Sequence, residues 1–140
     1  MIFDKQCLLS DDQRVTTTAV SDVLDLGARG TPHGGAAPLA RDVGTSAVPI
    51  AVLVTEDFTG PTSLQVAVEV DDDAGFGAPA TLVSSRAVPV AELKAGFVFN
   101  LDRLPRGSDR RYLRLQYLMV GSGSTGRLTA GIVAGLQQNP

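Results

Sequence analysis

Apolar and polar residues alternate along most of this chain with a period of two, the repeat of a strand that buries one face. The plainest case is Ser63 to Val70, where Leu64, Val66, Val68 and Val70 point one way and Gln65, Ala67 and Glu69 the other. Arg110 to Gly135 shows the pattern twice. Leu113, Leu115, Tyr117 and Met119 share one face before the loop Gly121 to Gly126 (GSGSTG), and Leu128, Ala130, Ile132 and Ala134 share another after it. The glycines give that loop a permissive backbone, so the sequence predicts a closing hairpin over Arg110–Gly135.

Shorter strand signals precede it. Gln6 to Ser10 is apolar, Gln13 to Val20 is rich in β-branched residues, and Val23 to Gly27 forms a further short run. Val48 to Phe58 is apolar almost without a break, as a strand covered on both faces would be. Ala80 to Val90 reads as an edge or bent strand, because Pro89 lacks an N–H for a ladder. Ala91 to Gly96 has room for one helical turn, Phe97 to Leu101 alternates again, and Leu104 to Asp109 is a tight connection.

The pattern fails from 28 to 47, a glycine-rich stretch without apolar period that predicts a long surface loop. About eight or nine strands with turns every 8 to 12 residues argue for an all-β, single-domain β-sandwich or jelly roll spanning residues 1–140. The N-terminal residues Met1 to Leu9 and the loop at 28–47 are expected to be extended arms around that core.

Composition is consistent with this. The chain has 140 residues, 44% hydrophobic and 19% charged, which is globular; with no Trp and few aromatics, Val, Leu and Ala must fill the core. The single cysteine, Cys7, rules out an internal disulfide and reads as a small buried thiol. The start MIFDKQCLLSDDQ has no signal-peptide pattern, and no apolar run reaches membrane-spanning length, so a soluble protein made in a cytoplasm, without a membrane partner, is expected.

The net charge of −3 is unevenly placed. Beyond residue 100 the acids are Asp102 and Asp109, against Arg103, Arg106, Arg110, Arg111, Arg114 and Arg127. Arginine forms planar, bidentate contacts with carboxylates. Two readings stay open: this end docks on an acidic partner or a second copy, or it pairs within the fold. With Arg29, His33 and Arg41 from the long loop, these arginines are the candidate interface residues.

Three features invite a chemical reading and none sustains it. Asp71-Asp72-Asp73 lacks the alternating ligands and distal Glu of a calcium loop, so a solvated acidic turn is expected. GSGSTG is followed by a strand and has no lysine, unlike a phosphate cradle. His33, the only histidine, has no companion ligand or base. The chain is acidic overall and lacks an aromatic stacking pattern, which argues against nucleic acid. Neither an enzyme, a cofactor nor a metal is expected.

Taken together, the residues resemble the tailed-phage capsid cement (decoration) proteins of the Bordetella phage cement protein type. The resemblance rests on Met1, Ile2, Asp4, Lys5, Gln6, Leu9, Ser10, Asp11 and Gln13, and then on Asp25, Leu26 and Gly27. It continues at Val54 to Phe58, Leu104 to Gly107, Arg111 to Tyr117 and Gly126 to Val133, in matching order over nearly the whole chain. It implies a jelly-roll or β-sandwich on the outer surface of the virion, a homodimer or homotrimer bound to the major capsid protein and stabilising its lattice. It carries over no catalytic residue. The alternatives are a head-fibre or tail accessory or a carbohydrate-binding module, which would display stacking Trp or Tyr. A cupin-type metal enzyme would need several histidines.

Overall fold

The computed structural model describes residues 1–44 and 46–137; Thr45, in the long loop, and residues 138–140 lie outside the described residues. Among the described residues ten strands form two antiparallel sheets, with one 3₁₀ turn at Val90–Glu92. The four-stranded sheet has the order β1 (Phe3–Arg14), β10 (Thr125–Val133), β4 (Val48–Thr59), β8 (Arg103–Leu104). The six-stranded sheet is built on β5 (Ser63–Asp71) and β9 (Tyr112–Val120). There β2 (Ala19–Val20) and β3 (Leu24–Asp25) pair with β9, and β6 (Ala80–Ser84) and β7 (Val88–Pro89) pair with β5. The all-β sandwich expected from the alternation is the fold.

The alternating residues form the core between the sheets. Leu64, Val66, Val68 and Val70 meet Leu113, Leu115 and Tyr117 from the same sheet and Ile50, Val52, Val54, Leu128 and Ala130 from the other, all fully buried. Each such Leu, Ile or Val contributes about 1.5–3 kcal/mol by leaving water. Tyr117 is buried to its hydroxyl, which lies 2.6 Å from Ser10 Oγ on β1 and so ties one sheet to the other; burial pushes that phenol's pKa up.

The expected hairpin over Arg110–Gly135 does not form. β9 enters the six-stranded sheet and β10 the four-stranded one, so Gly121–Ser124 carry the chain across the sandwich. The reason lies next to it. β4 and β5 make the same crossing at Gly60-Pro61, β4 pairs with β10 and β5 pairs with β9, so a two-stranded ribbon bends as a unit from one sheet to the other. At the corner Ser124 N donates to Thr59 O (2.9 Å) and Thr62 N to Val120 O (2.8 Å). The two crossings are so close that a Cβ on Gly60, whose φ is +101°, would stand 2.8 Å from Ser122 O. Period two reports a buried face; it does not say which strand is the neighbour.

The N-terminal segment is extended as expected, but from Phe3 it is an edge strand and not a free arm. Leu8 to Arg14 pair with β10, while residues 4–7 bulge outward between the pairs Phe3–Val133 and Leu8–Gly131. Such a bulge blunts an exposed edge. The stretch Gln13–Val20 is interrupted where Val15, fully buried, turns the chain toward the other sheet. Ala80–Val90 lies at the sheet edge in two pieces, and Phe97–Leu101 runs beside β4 with Phe99 N donating to Val52 O (3.0 Å).

Candidate docking surface

At the end of the sandwich remote from the corner, three loops converge: the long loop after β3, the turn after β5, and residues 105–111 ahead of β9. Among the described residues of the long loop, 28–40 are all exposed and none is in a strand. Among its described residues the internal backbone bonds are Gly35 N to Pro32 O (2.9 Å) and Leu39 N to Gly30 O (3.0 Å), which close it on itself.

Both legs of that loop are held by one residue. The Arg29 guanidinium pairs with Asp109 Oδ2. The Arg41 N–H donates to Asp109 Oδ1 (2.8 Å), and Arg41 Nη2 donates to the Asp109 carbonyl (3.1 Å). Asp109 itself takes φ +46°, a left-handed conformation that Asp tolerates better than most residues. Arg41 also reaches Asp72 Oδ1 (2.8 Å), and Arg110 Nη1 takes Asp72 Oδ2 (2.8 Å), so a second carboxylate links all three loops. Asp42 accepts from Gly107 N–H. The Asp109 carboxyl is held below its usual range, first by the Arg41 N–H and then by the charges of Arg29 and Arg41.

The acidic run thus has three roles. Asp71, buried at the end of β5, accepts the Ala78 N–H (2.9 Å) and the Asp73 N–H (3.1 Å), which lower its pKa and shape the turn. Asp72 is the ion-pair hub, and Asp73 accepts the Gly75 N–H. No group of three His, Cys, Asp or Glu placed to hold a metal ion occurs among the described residues.

The other candidate interface arginines are dispersed. Arg111 grips Asp25 with two bonds (2.9 and 3.0 Å), and these lower the Asp25 pKa, with help from the Gly27 N–H. Arg114, on β9, stands opposite Glu69 on β5, bonds its carboxylate, and is stacked 4.0 Å over the Phe76 ring. Arg127, on the other sheet, reaches Glu56 (3.2 Å) and Asp12 (3.4 Å). Arg103 pairs with its neighbour Asp102 (3.2 Å). Arg106 and His33 are exposed, and neither makes an ion pair among the described residues.

Of the two readings left open for the arginine-rich end, pairing within the fold accounts for Arg29, Arg41, Arg103, Arg110, Arg111, Arg114 and Arg127. The residues that sequence reasoning missed are the acceptors, Asp72 and Asp109, and the Phe76 cover. Asp72 and Arg41 are far apart in the chain, and nothing local marks them as partners. Cys7 is half-buried, and burial followed by the Asp4 charge pushes its thiol pKa up.

Residues 9–136 match the Bbp16 family model, a span that takes in the folded ribbon and all three converging loops. No curated protein matches the chain.

Proposed function

Because the chain belongs to the Bbp16 family, a Bordetella phage protein family, we propose that it is a virion cement protein. It binds the outside of the phage head and stabilises the lattice of the major capsid protein, acting by attachment and not by catalysis. The family match over residues 9–136 carries this reading.

The geometry supports it in two ways. A cement protein needs a stiff body, and here the four central strands form one ribbon folded across an apolar core. It also needs displayed segments, and the three loops fixed by Asp72 and Asp109 supply them at one end. Its partners are the major capsid protein and further copies of itself, as a homodimer or homotrimer. Many copies on a lattice turn modest single contacts into lasting attachment through high effective concentration.

The test uses heads purified without the protein. Added protein should co-sediment with expanded, DNA-filled heads and raise the temperature at which they release DNA. Absence of co-sedimentation at micromolar protein would refute the proposal.

A further inference from the structure

We propose that residues 30–40 are a preorganised docking finger that seats in an apolar, uncharged groove of the capsid lattice, with Asp109 as the positioning residue that holds it. This inference rests on the cement reading and names the contact that reading leaves open.

Three observations carry it. The first is chemical: Gly30 to Ala40, GTPHGGAAPLA, contains no acid, lysine or arginine, although charged residues stand at both of its ends. The segment can leave water without stripping a formal charge of its hydration, the costly step in burying polar surface. Pro32 and Pro38 bring no N–H, so two fewer backbone donors need partners in a groove.

The second is exposure. Every residue from 28 to 40 is exposed, and Leu39, the largest apolar side chain in the segment, is 65% exposed. A single exposed leucine is ordinary. One on an uncharged excursion in which every residue is exposed is different, because such a segment adds little to the core of the sandwich.

The third is the clamp. Arg29 and Arg41, one on each leg, meet at the same Asp109, and Leu39 N–H closes on Gly30 O (3.0 Å) inside it. A segment ordered before binding loses less conformational freedom on docking, and this is how rigid loops gain affinity. The two arginines act on the finger: through Arg29 Nη2 and the Arg41 N–H and Nη2, paired with Asp109 and Asp72, they set its direction. An apolar groove takes the finger as it stands, with both legs still paired to Asp109.

Two substitutions on the full chain test this against heads that lack the protein. Leu39→Asp should weaken head binding at least tenfold with an unchanged melting temperature, and Leu39→Met should restore it to within about twofold of wild type. Asp109→Asn should raise amide hydrogen exchange over 30–40 at least tenfold while β5 and β9 stay protected. Wild-type binding with equal binding by Leu39→Asp would overturn the finger, and unchanged exchange in Asp109→Asn would overturn the clamp. Failure of the wild-type protein itself to bind would overturn the cement reading, and the finger with it.

Discussion

Replacing Arg114 by Ala should be among the most damaging changes outside the core, and the structure gives the size of the effect. Glu69 and Arg114 stand opposite each other on the outer face of the six-stranded sheet. That face would be wet, but the turn after β5 folds back and lays Phe76 over the guanidinium, 4.0 Å from its ring centre. The Glu69 side chain is left 6% exposed and that of Arg114 17%. Both Nε and Nη2 of Arg114 lie 2.9 Å from Glu69 Oε2.

Removing Arg114 strands a carboxylate under the loop, for which the cost of breaking a buried pair is about 3–5 kcal/mol. The stacking on Phe76 adds about 0.5–2 kcal/mol. The partial exposure of the pair brings the total toward the lower end, about 3 kcal/mol. Glu69→Ala should cost less, about 2 kcal/mol, because the long arginine can swing its head into water. The double variant should cost about 3 kcal/mol and not the sum of the two, a coupling of about 2 kcal/mol. Urea denaturation of all four proteins measures this, and calorimetry should show Arg114→Ala melting roughly 10 °C lower. A single-variant cost below about 1 kcal/mol with coupling below about 0.5 kcal/mol would show that the pair behaves as an exposed surface bridge and would refute the reasoning.

Two further predictions follow from the loops and the corner. The lowered pKa of Asp109, facing Arg29 and Arg41, means that its contribution is present above the unfolded carboxyl value, about 3.9, and is lost as pH falls through the lower folded value. Hydrogen-exchange protection of residues 30–40, corrected for intrinsic rate, should therefore hold from pH 8 to 5 and disappear in acid before the sandwich melts. A loss centred near pH 6 would place control on an imidazole instead. Gly126→Ala should destabilise by about 3 kcal/mol or more in urea denaturation, since its φ is +140° and a Cβ there would stand 2.3 Å from the Phe58 ring. A cost under about 1 kcal/mol would show that the ring moves aside freely.

How much of this was legible in the chain depends on distance along it. β5 and the buried face of β9 are readable because Leu64 to Val70 and Leu113 to Met119 state their own periodicity. Pro89 marks its strand as an edge, and the missing period at 28–47 marks the loop, each through a property of the residues themselves. The partner of a strand is not such a property. GSGSTG suits a hairpin and a crossing equally well, and only the matching crossing at Gly60-Pro61 decides between them. The same holds for the charges: Asp109 lies 80 residues from Arg29 and 68 from Arg41. A run of arginines announces that pairs will form and leaves open with what.

The folded ribbon also has a consequence for how the protein comes into being. The two inner strands of each sheet come from opposite parts of the chain, with Ser63 beside Val120 and Thr59 beside Thr125. During synthesis, β4 and β5 emerge with their inward edges empty; the six-stranded sheet cannot close until β9, through Val120, has left the ribosome, nor the four-stranded sheet until β10, through Val133, has done so. The contacts that reward folding are nearly all distant in sequence, so folding should be slow for a protein of this size. In the interval the apolar runs of β4 and β5 are exposed edges prone to wrong pairing. Since residues 105–111 follow β8, the Asp109 clamp also forms late. The protein should acquire its binding form only as a finished chain.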